Sequence, residues 1–300
     1  MSFLRRVLSN AIVQMVIEIT VLLAITFPIG IIVLAVHLPS AFNEVVAELL
    51  TALLTFGVYL LASKYLERRP LAEMGLPRLH AMRDLLLGFT IGACLMSIII
   101  GILALAGWYH ITSIEPVGNV PTMILEGLIV FFCAAVFEEV LFRGIAFRLL
   151  EQGLGSWIAL GLSALFFGAS HFANPHATLI GAVAVVLTGG LLAATVFMLT
   201  RSLWPVIGLH WAWNYFEGPV FGAQVSGRSL PPILHSTITG PALWTGGTFG
   251  PEAGLVVVIV GLSVGVPLLA FAVHRGCIIT PRFLRRTPHS TQPQSISSSI

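Results

Sequence analysis

The chain has 300 residues, 57% of them hydrophobic and only 9% charged, with a mean hydropathy of +0.96. A soluble domain carries about 25% charged residues, so the composition excludes a soluble globular protein, a disordered chain and a nucleic-acid binder. What remains is an all-α polytopic protein of the lipid bilayer.

Taken in chain order, apolar runs lie at 11–36, 45–63, 84–108, 122–149, 156–173, 177–200, 203–222 and 253–274. A span needs about 20 mostly apolar residues, and none of the runs shows the ten-residue alternation of a strand barrel; they predict eight membrane helices. Arg5 and Arg6 before the first run give it the flank of a signal peptide. The run is too long for one, however, and lacks a clear small-residue cleavage site, so a retained first span is expected. No internal repeat supports an inverted-repeat transporter. Cys94, Cys133 and Cys277 form no Cys-x-x-Cys and imply no disulfide framework; Cys94 and Cys133 read as small buried hydrophobes.

The net charge of +2 says less than the placement of the 15 basic residues. Arg5, Arg6, Lys64, Arg68, Arg69, Arg78, Arg83, Arg148, Arg201, Arg275, Arg282, Arg285 and Arg286 fall on one side of an eight-span scheme, and only Arg228 on the other. The positive-inside rule then places both termini in the cytoplasm, as expected of a multi-pass protein of the plasma (inner) membrane. Residues 64–83 read as an orientation signal lying on anionic headgroups. The Gly- and Pro-rich stretch 223–252 reads as a loop of possible re-entrant form, and the tail 287–300 as disordered. The whole chain, 1–300, forms a single membrane domain whose catalytic core is expected at 120–222.

An ionisable group at membrane depth costs at least about 2.5 kcal/mol, so each one needs a reason. In the fourth run Glu139 and Arg143 are four residues apart with the acid first, the better orientation for a pair. Glu138 is turned by about 100° on the same helix and has no such partner. The fifth run ends with Phe167 and His171 on one face, and the seventh places His210 and Asn214 four apart. Burying these groups in lipid without mutual satisfaction is costly, and one shared polar cavity resolves it.

Such a cavity supports two chemistries. Glu138, His171 and His210 make a candidate zinc set, although no His-Glu-x-x-His is present. Alternatively Glu138, assisted by His171, deprotonates a water, and His210 and Asn214 donate hydrogen bonds to the oxyanion. Both are hydrolytic. No Gly-x-Ser-x-Gly is present to suggest a serine nucleophile. Glu18 and Glu126 read as cavity or pairing groups, His176 as interfacial, Asn174 and Pro175 as a turn, and Glu217 as a support behind the Asn214 face.

Glu-Glu-x-x-x-Arg (138–143), Phe-x-x-x-His (167–171) and His-x-x-x-Asn (210–214), in this order, resemble the CAAX protease and bacteriocin-processing (CPBP, or Abi) family of intramembrane endopeptidases. The core resemblance covers 120–222, and GGTFGPEAG (246–254) is similar to a segment in many bacterial members. The resemblance implies an α-helical intramembrane fold of eight or so helices, Glu138 and His171 as water activators, and His210 and Asn214 as oxyanion or metal-site residues. It leaves zinc open as a cofactor, because such proteases are described both as metallo- and as glutamate-type. The implied partners are a peptide or protein substrate in or near the membrane and the lipid bilayer, with no nucleic acid. Competing readings are a catalytically silent immunity or interaction protein and an ion-coupled transporter. Processing of prenylated proteins is a secondary reading beside the bacterial character of GGTFGPEAG.

Overall fold

A computed structural model describes residues 7–35 and 40–281. The tail 287–300 and the arginines at 5, 6, 282, 285 and 286 lie outside these residues. Three helices come first: α1 (Ala11–Ala35), α2 (Ser40–Leu61) and α3 (Ala81–Leu105). A π turn, Ala62–Glu67, prolongs α2. Next, α4 (Val120–Glu139) passes through a π segment, Val140–Phe147, into α5 (Arg148–Leu154) as one 35-residue rod. Helix α6 (Ser156–Ser170) ends in a 3-10 turn at His171, and α7 (Leu179–Val185) and α8 (Leu191–Thr200) form one span through a π turn. Helix α9 (Trp204–Tyr215), the short α10 (Ala242–Thr245) and α11 (Leu255–His274) complete the set.

The fold is all-α, as the composition predicts. Seven helices among the described residues are long and apolar enough to cross a membrane, one fewer than the apolar runs predict. The exception is the 203–222 run, which folds as the 12 residues of α9 and a five-residue π turn, Phe216–Val220. Its apolar side chains are buried inside the bundle, Val206, Ile207 and Ala212 among them, and helix and π turn together carry the chain from Arg201 toward the loop that holds Arg228. It lies backbone to backbone on α3. A Cβ on Gly88 would meet the Pro205 carbonyl oxygen at 2.0 Å, one on Gly92 that of Leu209 at 2.2 Å, and one on Gly208 that of Leu85 at 2.0 Å. Small residues four apart are the usual means of such close approach in a bilayer.

Two further departures concern the loops. The connections before α4 and after α9 carry a two-stranded antiparallel ribbon, β1 (Tyr109–Ile114) and β2 (Leu234–Ile238), with Tyr109 opposite Ile238 and a bulge between Ile111 and Ser113. The pairing is between distant segments, which no local period reveals. The 64–83 segment is built into the protein instead of resting on headgroups. Met74 and Leu76 are buried, the Leu203 amide donates to the Gly75 carbonyl at 2.7 Å, and the Trp204 indole donates to that of Pro77 at 2.8 Å. Cys133 is buried as expected, whereas Cys94 is exposed on the outside of α3.

At this end of the bundle the charges neutralise one another. Arg148 makes a two-pronged pair with Glu67, at 2.7 and 2.5 Å, and donates to the Gly144 carbonyl at 2.7 Å. Glu18, on α1, sits buried in the field of Glu67 and Arg148. Arg201 pairs with Glu151 and also donates to the Cys277 carbonyl at 3.0 Å. These links tie α1, the π turn after α2, α5, the end of α8 and the segment after α11 into one plate.

Candidate active site

Glu138 and Glu139 are the last residues of α4 before the π segment begins. A π segment widens the helix, and such insertions often mark functional positions. Arg143 lies within it. Its Nη1 donates to Glu139 Oε1 at 2.9 Å, its Nη2 to the Gly189 carbonyl at 2.6 Å, and its guanidinium stacks 4.5 Å from the Phe167 ring centroid. Both side chains of the pair are 1% exposed. The spacing argument for this pair therefore holds, and the arginine also reaches the turn between α7 and α8.

Glu139 has a second task that sequence spacing does not disclose. The same Oε1 accepts from His210 Nδ1 at 2.7 Å. The carboxylate thus takes two charge-assisted donors and joins two motifs that lie 71 residues apart. Since Nδ1 carries the proton shared with Glu139, Nε2 is the nitrogen left for chemistry. It stands 3.8 Å from Glu138 Oε2, a buried oxygen with no hydrogen-bond partner among the described residues.

His171 is oriented in the same manner by a different acceptor. Its Nδ1 donates to the Phe167 carbonyl at 2.7 Å, because a carbonyl can only accept, and its Nε2 is likewise left without that proton. The Phe-x-x-x-His spacing is thereby explained: the phenylalanine ring stacks on Arg143 while its carbonyl fixes the imidazole four residues on.

Glu138, Glu139, His171, His210 and Asn214 all line one cavity of about 50 Å³. Roughly 10–15 Å³ is enough for one water molecule, so this space holds water and is too small for a peptide. A wider vestibule of about 370 Å³ adjoins it and shares Glu138, His171 and Asn214. Glu44 and Glu48 from α2 line one wall, and Asn174 and Arg228 another.

Two further polar groups enter the inner cavity, Ser226 and Glu252. They come from the loop after α9 and from the end of the Gly-rich stretch, and Ser226 donates to Glu252 Oε1 at 2.5 Å. Beneath them, the Glu252 amide donates to Glu217 Oε1 at 3.2 Å, so Glu217 supports the loop rather than the Asn214 face. The glycines make this interlock feasible. Gly250 has φ +124°, and a Cβ on it would meet the Gln224 carbonyl oxygen at 2.0 Å. Burial pushes the Glu252 carboxyl above its ordinary value, opposed by the charge of His171 and the Ser226 hydrogen bond. The sequence signal for Glu252 was its place at the end of GGTFGPE; for Ser226 there was none.

Glu138, His171 and His210 share the cavity, but among the described residues no group of three or more His, Cys, Asp or Glu side chains is arranged to hold a metal ion. Each imidazole is anchored through Nδ1 to a different wall.

Residues 120–216 match the family described as type II CAAX prenyl endopeptidase, Rce1-like. The matched segment begins with α4 and ends just after α9, and it contains all three motifs. The match supports an intramembrane protease of the CAAX type in general terms. No curated protein and no solved structure matches the chain.

Proposed function

We propose that this chain hydrolyses a peptide bond by a water held between Glu138 and His171, a reading supported by the match of residues 120–216 to the CAAX prenyl endopeptidase family. The observation that carries this reading is the buried, unpartnered Glu138 Oε2, 3.8 Å from His210 Nε2 in a water-sized cavity. A carboxylate kept there without a partner has no use in packing, and removing its neighbours' alternatives is what Glu139 does. By accepting from both Arg143 and the His210 Nδ1–H, Glu139 leaves Glu138 free to accept.

The steps follow from these groups. His171 Nε2 and Glu138 orient the water, and Glu138 takes its proton as the oxygen attacks the carbonyl carbon. The negative charge that forms on the carbonyl oxygen is met by hydrogen bonds from the Asn214 amide and from His210, which Glu139 holds through Nδ1. Glu138 then returns the proton to the nitrogen as the C–N bond breaks, leaving a carboxylate and an amine. Residues 120–222 form the catalytic core, and the partners are a peptide or protein substrate and the bilayer.

The test is cleavage by the purified protein in lipid nanodiscs, read with a quenched peptide library. A positioned general base contributes typically about 10²–10⁴-fold. Glu138→Gln is expected to lose at least that while keeping its thermal unfolding midpoint. Full activity in Glu138→Gln overturns the reading.

A further inference from the structure

From the placement of the vestibule we infer that the active site opens to the non-cytoplasmic face, and that its substrates are exported or membrane-anchored polypeptides presented from that side. The substrate half rests on the protease reading above; the orientation half does not.

The two ends of the bundle differ in charge. Among the described residues Lys64, Arg68, Arg69, Arg78, Arg83, Arg148, Arg201 and Arg275 lie at or beyond the helix ends that meet the 64–83 segment. Arg228 is the one basic residue at the opposite end. Basic residues flanking spans are retained on the cytoplasmic side, so the plate of ion pairs is cytoplasmic and the Arg228 end is not. The orientation thus has support within the folded part of the chain.

The vestibule belongs to the Arg228 end. Glu44 and Glu48 stand in the first turns of α2, Asn174 in the turn after α6, and Arg228 and Leu230 in the loop after α9. These are the ends of elements that lie farthest along the chain from the basic loops.

From the other end the site is closed. Below Glu139 the Arg143 clamp is 1% exposed, and Phe147, Phe197 and Leu203 are buried with no more than 2% exposure. Beneath them lie the pairs of Arg148 with Glu67 and of Arg201 with Glu151. A tail offered from the cytoplasm meets this plate, whereas a segment on the opposite face meets an aqueous funnel ending at Glu138.

Two measurements test the two halves. In cells expressing a Cys94→Ala, Cys133→Ala, Cys277→Ser chain, single cysteines are added as Arg228→Cys, as Thr237→Cys on the exposed edge of β2, or as Leu79→Cys in the basic segment. A membrane-impermeant maleimide is expected to label the first two in intact cells and Leu79→Cys only after permeabilisation. The reverse pattern overturns the inference, and the Thr237 probe keeps the test intact if the Arg228 variant does not fold. In parallel, peptide ends are compared by mass spectrometry between cells with the unaltered chain and with Glu138→Gln. Ends that disappear are expected to map to non-cytoplasmic segments; ends on cytoplasmic carboxyl-terminal tails overturn the inference. If labelling is as expected and no ends differ, the orientation stands and it is the protease reading, with the substrate half, that falls.

Discussion

The two ends of this bundle hold buried charge in opposite ways. At the basic end Glu67 and Glu151 are each paired with a cation, Arg148 and Arg201, and Glu18 is buried beside the first pair with neither carboxyl oxygen hydrogen-bonded among the described residues. At the other end acids outnumber cations, and Glu138, Glu217 and Gln224 each keep a buried oxygen without a hydrogen-bond partner. Removing one member of a buried pair leaves an uncompensated charge, so the first arrangement serves folding. Glu138 differs from the other unpartnered acids in lining both the inner cavity and the vestibule, so the second arrangement can serve chemistry. The contrast predicts that substitutions at one end alter stability and at the other alter turnover.

The largest expected effect is on turnover. Glu138→Gln should lose at least about 10²–10⁴-fold, and His171→Ala a similar factor, with the double substitution losing little more because both act on one water. Additive losses in a single-turnover assay would separate the two groups and break the comparison. Asn214→Ala should lose about 10²–10³-fold, the scale of one oxyanion donor, with an unchanged unfolding midpoint.

The reciprocal effect belongs to the ion pairs. Arg148→Ala should cost about 3–5 kcal/mol, as for other broken buried pairs, seen as reduced folded protein in detergent. The surviving fraction should turn over normally. Arg143→Ala is the sharpest case because its residue stands between the two regimes: it should lose folded protein to a similar degree, with partial rescue by Glu139→Gln in the same chain. Normal accumulation and thermostability of Arg143→Ala would show that the pair is not structural.

The smallest effect lies on the β ribbon. Glu115 is held below the ordinary carboxylate range, by the Asn119 amide first and then by His235, whose Nε2 is 2.8 Å away. A depressed carboxyl stabilises the fold above its unfolded-state pKa and loses that contribution as the pH falls through the folded value. Amide exchange in β1 and β2 should therefore quicken toward acid pH, and Glu115→Gln should flatten the dependence. Unchanged exchange in both proteins would remove the ribbon from the pH response.

What could be read from the sequence was whatever has a local period. The four-residue spacings of Glu139 with Arg143, Phe167 with His171 and His210 with Asn214 translate directly into side chains on one helix face, and the expected common cavity is present. What could not be read depends on partners far apart in the chain. No spacing links His210 to Glu139 or Glu67 to Arg148, and β1 finds β2 more than a hundred residues on. Hydropathy also does not tell that α9 is short and buried in protein, because a helix packed in protein and one facing lipid have the same apolar composition. The disposition of the termini and the residue ranges of the core remain expectations carried by charge and motif placement.

The backbone contact between α3 and α9 acts as a spacer set to its minimum thickness. Leu209, whose carbonyl oxygen lies 2.2 Å from where a Gly92 methyl would be, immediately precedes His210. Each carbon added at Gly92 would therefore push the carrier of His210 and Asn214 away from α3, with no change to either side chain. A graded series, Gly92→Ala and then Gly92→Val, would turn that contact into a ruler, recording how far the oxyanion donors can be displaced before the distance from His210 to Glu138 ceases to support turnover.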